Sequence, residues 1–552
     1  MTPRPILEIG EQLGLREDEL IPYGRYKAKI SLETLSRLAD RPRGRYVLIT
    51  AVNPTPLGEG KTTTAIGLGM GLCRLGQRAA VNLRQPSLGP VFGLKGGGAG
   101  GGRACLVPME EMNLHLTGDS HAVQSAHNLL AAFVDNHLFH GNTLDLDPKQ
   151  VTWPRAVSVS DRALRHVRVI GKNGEERETR FVLTEASEVM AILALATGFS
   201  DLRARLGRIV VGATRDGRPV TAEDLRCAGA MAALLKDALC PNLVQTVEGT
   251  PAFMHAGPFG NIAHGNSSVL ADLLALRCAD YVVTEAGFAS ELGAEKFFNI
   301  KCRASGLAPD AAVIVVTLRA LKFYGGGGEV KSGLPVPAGL AGPNRDALAK
   351  GFANLEAHLA NVQVYGIPAV VAVNAFDQDL DDELLWVCGQ AEKAGAAGAV
   401  VTTHFRDGGK GSETLAQAVM TACRKPNRFA PLYDVAWPIT RKIETIAMRM
   451  YGAAGVRYDA QAERDIERAT RWGFDRWPIC MAKTPLSLSH DPALKGRPSG
   501  FTVPITELRI LAGAGFLTAV CSGIELLPGL PKRPAGEHID VDPETGEIVG
   551  LS

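Results

Sequence analysis

The stretch RYVLITAVNPTPLGEGKTTTAIGLGMGLCRLG, starting at Arg45, constrains the fold more than any other part of the sequence. An apolar, β-rich run reaches Val52, a glycine-bearing loop follows, and a helical pattern begins at Lys61, so the segment reads as strand, loop and helix. Loop amides that point the same way, added to the positive end of a helix, make a concave anion site suited to a polyphosphate. Gly58 and Gly60 allow close approach of the backbone, Lys61 is placed to reach β and γ phosphates, and the Thr62 hydroxyl is placed to ligate Mg²⁺. Thr55 stands where the pattern GxxxxGK[ST] has its first glycine, so half of the motif rests on context. The candidate ATP-binding set is Thr55, Pro56, Leu57, Gly58, Glu59, Gly60, Lys61 and Thr62; the alternative is an ordinary glycine turn before a helix. Gly67, Gly69 and Gly71 read as packing glycines that let the helix lie close on a sheet.

Several classes are set aside by charge and cysteine usage. Lys plus Arg number 59 against 58 Asp plus Glu, so there is no broad positive field for nucleic acid or an anionic membrane, and any anion needs a local site. The ten cysteines show no CxxC spacing. The N-terminal MTPRPILEIG lacks the apolar core of a secretory signal, and no run approaches the roughly 18 apolar residues of a membrane span. These features lead us to expect a soluble, cytoplasmic protein with reduced thiols.

Short β-rich runs at Arg45–Val52, Ala79–Leu83, Tyr281–Thr284, Ala311–Thr317, Ala369–Val373 and Ala399–Thr402 alternate with longer helical patterns. The expected fold is a multi-domain α/β protein, with a P-loop-type nucleotide domain built on a mostly parallel sheet, a second α/β domain and a smaller C-terminal unit. At about 150 residues per domain, 552 residues suggest three or four. The charged stretch Gly171–Arg180 and the Gly/Pro stretch Gly325–Gly342 are candidate loops or junctions. We place divisions at 1–340, 341–426 and 427–552, the last beginning where Pro, Trp and Gly interrupt the alternation.

A second glycine loop, RQPSLGPVFGLKGGGAGGG, follows the strand Ala79–Leu83. Successive βα units put strand ends side by side, so Arg84 is expected at the same sheet edge as the phosphate loop, where its guanidinium can grip a carboxylate or acyl phosphate. Lys95 offers another positive charge; the plainer reading is a solvent loop with a surface ion pair. His115, His121, His127, His137 and His140 cluster near Asp119 and Asp135, but without zinc-protease spacing or a nearby cysteine, so polar or interface roles compete with metal binding. Asp119, in LTGD, is a candidate contact to a small polar substrate. AVVAVNAFD resembles a guanine-reading NKxD strand end, yet Ala375 replaces the lysine; Phe376 there, and Phe405 after the next strand, are candidate stacking rings or core residues. Glu285 closes YVVTE and can hold Mg²⁺ through water or cap a helix.

Taken together, TPLGEGKTTT at Thr55, RQPSLGPVFGLKGGGAGGG at Arg84, NLHLTGD at Asn113, GPFGNIAHGNSS at Gly257, EAGFASELGAEKFFNIKCR at Glu285 and PGLPKRPA at Pro528 resemble the formate–tetrahydrofolate ligase family along the whole chain. The resemblance implies that ATP phosphorylates formate to formyl phosphate. N10 of tetrahydrofolate then attacks the formyl carbon, giving 10-formyltetrahydrofolate, ADP and phosphate. It maps the residues that handle the phosphoryl group onto Lys61 and Arg84, the two pterin-stacking rings onto Phe376 and Phe405, and the metal with ATP onto Thr62 as Mg²⁺. A monovalent cation, K⁺ or NH₄⁺, often supports the family's activity, and Gln85 stands where some members carry the acid linked to it. A homotetramer is implied as well. Phenylalanine at position 405, where many relatives carry tryptophan, implies weaker folate stacking. Two rivals are an ATP-dependent ligase for another small carboxylate and a nucleotide-switched assembly ATPase; the second leaves the paired aromatics and the C-terminal region unexplained.

Overall fold

Runs of β-branched and small apolar residues without polar alternation require burial on both faces, and a central twelve-stranded sheet provides it. The computed structural model describes residues 3–93, 98–171, 174, 176–330 and 335–551. Lys95, Gly96 and Gly97 of the second glycine loop, and residues 331–334 of the expected junction, lie outside the described residues.

In chain order the sheet contains β1 (Leu20–Pro22), β2 (Ala28–Ile30), β3 (Arg45–Ala51), β4 (Ala79–Leu83), β5 (Gly100–Gly101), β6 (Ala104–Val107), β7 (Asn242–Thr246), β8 (Pro251–Met254), β9 (Tyr281–Glu285), β10 (Ala311–Val316), β11 (Ala369–Asn374) and β12 (Gly398–Thr402). Across the sheet the order is β1-β2-β7-β8-β4-β9-β3-β10-β11-β12, with β6 also pairing β7 and β5 pairing β6. From β8 to β12 every neighbouring pair is parallel, so the carboxyl ends of β4, β9, β3, β10, β11 and β12 share one edge. The six strands expected from sequence are all present and lie in this parallel region.

One expectation is corrected. β3 and β4 are not neighbours, because β9 inserts between them and pairs with both. Arg84 still leaves the sheet at the phosphate-loop edge, but Glu285, at the end of β9, stands between.

The strands partition their side chains with a period of two. Val47, Ile49, Ala51, Val81, Val313 and Val315 join the core that contains Ile66, Leu68, Met70 and Leu72 of the helix Lys61–Arg74. Leu48, Val282, Ile314, Val316 and Val371 face the opposite core with Leu348, Phe352, Leu355 and Leu359 of the helix Arg345–Gln363. Each such Val, Leu, Ile, Phe or Met side chain stabilises the fold by about 1.5–3 kcal/mol relative to exposure. Of the packing glycines only Gly69 lies against the sheet as expected, while Gly67 and Gly71 admit the 404–412 segment instead. A Cβ on Gly69 would sit 2.4 Å from Val81 of β4, and Cβ atoms on Gly67 and Gly71 would press on His404 and Ser412.

The helices Asp119–Phe139, Glu188–Leu195, Phe199–Arg208 and Ala228–Leu234 surround a separate hydrophobic core. Beyond residue 427 come the helices Ile439–Tyr451 and Ala460–Arg471 and small sheets, including Ile479–Ala482 paired with Phe516–Val520. The stretch Gly171–Arg180 is not simply a loop, since Glu176–Thr179 pairs antiparallel with Val167–Ile170. β11 and β12 extend the sheet begun by β3 and β10, so a division at 340/341 falls within one continuous hydrogen-bonded layer.

Candidate active site

The phosphate loop leaves β3 at Val52 and enters the helix Lys61–Arg74 with Gly60 at its N-cap. Gly58 and Gly60 take φ of 75° and 77°, the left-handed region in which a side chain is strained. Thr55 does not need to be glycine, because it is absent from the positive-φ positions and braces the turn itself. Its N–H donates to Glu59 Oε1 (2.6 Å), its hydroxyl accepts from Leu57 N (3.3 Å), and its carbonyl accepts from Gly58 N (3.1 Å). Lys61 is half-buried on the first turn, and its ammonium forms no hydrogen bond or ion pair with any described residue.

Thr62 Oγ1 donates to Glu285 Oε2 at 2.7 Å. Arg84 Nη2 is 4.0 Å from Glu285 Oε1, and Nη1 donates to the Pro258 carbonyl at 3.3 Å. The first turn of the helix after β3 and the ends of β9 and β4 thereby bring a hydroxyl, a carboxylate and a guanidinium together, with Glu285 contacting both others. A quarter of the Arg84 side chain reaches solvent while its Nε is sealed without a partner. Burial pulls its pKa below the ordinary value, with the Glu285 charge opposing, but a guanidinium stays protonated. Beside it, Gln85 Oε1, Ser87 Oγ, Glu185 Oε2 and both His264 ring nitrogens are buried without a close hydrogen bond, with the Ser87 hydroxyl turned toward Glu185 and the Ser267 backbone toward His264. Burial holds His264 neutral and pushes the Glu185 carboxyl up to about 7. Unpaired buried polar atoms are costly, so such a concentration marks a place built for a polar ligand.

The second aromatic region is joined to the loop through Asn374 at the end of β11. Its Nδ2 donates to the Glu59 carbonyl (2.9 Å) and to Thr64 Oγ1 (3.0 Å), and its Oδ1 accepts from Thr402 Oγ1 of β12 (2.8 Å). Asn374 and Thr402 are register partners, so Phe376 and Phe405 follow adjacent strand ends. Their rings are exposed, Phe376 at 36% and Phe405 at 57%. Arg406 and Asp377, the next residues along, form an ion pair at 2.7 Å. The second glycine loop reaches this platform too: Arg103 N donates to the Phe405 carbonyl at 2.8 Å, and a Cβ on Gly102 would collide with that carbonyl. Arg319 lies over the Phe376 ring, 4.2 Å from its centroid.

Asp119 is buried at the start of its helix, accepting from Lys29 Nζ (2.8 Å) and Thr117 Oγ1 (3.3 Å) on Oδ1 and from Asn242 Nδ2 (2.7 Å) on Oδ2. Asn242 pairs with Met254, which pairs with Leu83, so this ion pair lies at the Arg84 edge but two strands away. The histidine window does not converge. His115 and His121 meet at 3.0 Å, His127 is buried against Ser187 and Trp153, and among the described residues no three potential ligands gather around a metal position. Glu185 and His264 had no role in the sequence reading; His264 lies within a motif, whereas nothing local marks Glu185.

The Thr62 hydroxyl and Glu285 carboxylate fit Mg²⁺, a hard ion that is usually held by one or two carboxylates together with substrate phosphates. A sequence model described as formate–tetrahydrofolate ligase matches residues 1–552. Proteins named formate–tetrahydrofolate ligase from Roseiflexus sp. (strain RS-1) and Roseiflexus castenholzii are 56% and 54% identical, each across 100% of this chain and 98% of the relative. One from Desulforamulus reducens is 52% identical over 99% of this chain and 97% of the relative. The chain is a ligase and belongs to the formate–tetrahydrofolate ligase family.

Proposed function

We propose that the protein joins formate to N10 of tetrahydrofolate with cleavage of ATP to ADP and phosphate, through formyl phosphate. The observation that supports this best is the shared edge carrying the phosphate loop, Glu285 and the partly sealed Arg84, with two exposed phenylalanines on the adjoining strand ends. A formate oxygen attacks the γ-phosphorus, ADP leaves, and a mixed anhydride forms. The N10 lone pair then attacks the formyl carbon, the C–O bond to phosphate breaks, and the amine proton is lost. Phosphoryl transfer needs positioning and charge neutralisation more than a nucleophilic side chain. Lys61 and the loop amides take the β and γ phosphates, and Arg84 orients the acid and the phosphoryl oxygens. Mg²⁺ held by Thr62 neutralises charge on the phosphates when bound.

Phe376 and Phe405 stack the pterin, and Asp119 contributes to the folate side through the Lys29–Asp119 pair. Gln85 Oε1 and Glu185 Oε2, both buried beside Arg84, are the oxygens suited to a monovalent cation such as K⁺ or NH₄⁺. In this reading residues 1–340 carry nucleotide and formyl phosphate chemistry, 341–426 the folate platform and 427–552 the C-terminal unit. The protein acts in the cytoplasm as a homotetramer. The test is ADP release by purified protein with formate and tetrahydrofolate each omitted in turn. Dependence on both supports the proposal, and ADP release indifferent to both contradicts it.

A further inference from the structure

The root of the phosphate loop is held by groups that the chemistry above does not use. Asn53, fully buried, donates from Nδ2 to Glu291 Oε1 (2.7 Å) and the Pro485 carbonyl (3.1 Å) and accepts on Oδ1 from Asn354 Nδ2 (3.0 Å). Its backbone N–H donates to His358 Nε2 at 3.0 Å. Nε2 also lies 3.0 Å from Asn53 Oδ1, but the backbone N–H can only donate, and Nδ1 faces Ser290 Oγ at 2.8 Å and Glu291 Oε2 at 3.6 Å; together these contacts assign the ring proton to Nδ1 and a lone pair to Nε2. Asn354 and His358 are one helical turn apart on Arg345–Gln363, so one face reads both the backbone and the side chain of Asn53.

The same cluster extends into the C-terminal unit. Lys483 Nζ, fully buried, donates to Glu291 Oε1 (3.2 Å) and to the carbonyls of Thr484 (2.9 Å) and Ser487 (2.6 Å). Asn354 also donates to the Gly496 carbonyl (2.8 Å), and Tyr324 donates to the carbonyl of Pro54 (2.9 Å). Five distant chain segments, at 53–54, 290–291, 324, 354–358 and 483–496, thus meet at the point where the loop leaves β3.

We propose that His358 and Asn354, with the Glu291–Lys483 pair behind them, are positioning residues that hold the phosphate loop in its ATP-binding shape through Asn53. The 483–496 segment thereby tunes nucleotide use without touching the reacting atoms. This rests on the ATP-dependent reading above. Loop amides cradle phosphates only if their directions are set before ATP arrives, and a displacement of about 1 Å can cost on the order of 10²-fold in rate. The neutral His358 ring suits the task, since burial depresses its pKa to about 4 and keeps the Nε2 lone pair available.

The experiment compares His358→Leu, which removes the acceptor, with His358→Gln, whose amide oxygen can replace Nε2, and with Asn354→Ala and Lys483→Met. Mg-ATP affinity is measured directly by calorimetry on each full-length variant, beside the KM values for all three substrates. His358→Leu is expected to weaken Mg-ATP binding about tenfold or more and to lower kcat, with the KM values for formate and tetrahydrofolate within twofold of the parent. His358→Gln should recover most of the loss, and Asn354→Ala and Lys483→Met should show the same ATP-selective pattern. Should His358→Leu fail to fold, the last two variants decide. Equal loss for all substrates without rescue by glutamine, or unchanged Mg-ATP affinity in folded variants, overturns the inference. Failure of the parent protein to bind Mg-ATP would instead overturn the functional proposal.

Discussion

The phosphate-loop end and the phenylalanine platform lie at the same sheet edge but are built in opposite ways. Asn53 is fully buried with its side chain bonded to named partners, Thr62 is bonded to Glu285, and Arg84 Nε is buried without a partner. Around Phe376 and Phe405 the rings are exposed, and the link between their loops is the surface pair Arg406–Asp377. Transferring a charged group requires dipoles fixed in advance in a water-poor place. Binding a flat ring requires only an apolar face with room in front of it. The difference predicts that substitutions at the loop end act on rate and those at the platform act on folate affinity.

The largest expected effect is at Lys61. Lys61→Ala should lower kcat for ADP formation by at least 10²–10³-fold, as for loss of a transition-state charge partner, while tetrahydrofolate binding by fluorescence titration stays near the parent value. A parallel loss of folate binding would merge the two regions that the structure separates.

The next effect is on stability against pH, and it belongs to the buried regions. Burial pushes Glu185 up to about 7, Glu188 to about 8 and Glu295 to about 7, and it depresses His127, His255, His358 and His404 to about 4. For the carboxyls, the unfolded chain loses its protons near pH 4.3 while the folded chain keeps them. Their stabilisation is therefore full at low pH and is lost as pH rises through about 7–8, by at most about 1.4 kcal/mol per pH unit for each group. For the histidines, the unfolded chain gains protons below about 6.5 while the folded chain stays neutral to about 4, so stability falls as pH drops through that window. The two trends place maximal stability close to pH 6.5. Urea midpoints measured from pH 5 to 9 check this, and a maximum above pH 8 would contradict it.

At the platform, Phe405→Ala should raise the KM for tetrahydrofolate roughly tenfold with kcat for ADP formation little changed, and Phe405→Trp should lower that KM by roughly two- to fivefold, by returning ring area. Smallest is Arg406→Ala, which removes only exposed, solvent-screened ion pairs. Its effect on the folate KM should be under about threefold and should vanish in high salt. A larger effect would mean that the platform is as tightly pre-organised as the loop.

Much of this arrangement could be read from residues alone where local rules apply. All-apolar strand runs, glycines at positive φ, a lysine–threonine pair at a helix start and packing glycines on Lys61–Arg74 each carry their own signature. Strand order does not, because pairing is decided by packing between segments far apart in the chain. The insertion of β9 between β3 and β4, and with it the Thr62–Glu285 contact, was therefore hidden. Thr55 departs from the motif glycine, and the Glu59 carboxylate that holds its N–H makes a contact the motif does not encode. Glu185 and the Asn53–His358–Lys483 cluster rest on side chains brought together from across the sequence, and no spacing rule marks them.

The central claim is that the acid is activated as an anhydride before the amine attacks. The direct measurement supplies formate labelled with ¹⁸O in both oxygens, together with Mg-ATP and tetrahydrofolate, and reads the released inorganic phosphate by mass spectrometry. One ¹⁸O per phosphate is the predicted result, because the oxygen that attacks the γ-phosphorus leaves with it. Phosphate carrying no ¹⁸O while the formyl product accumulates would contradict the account.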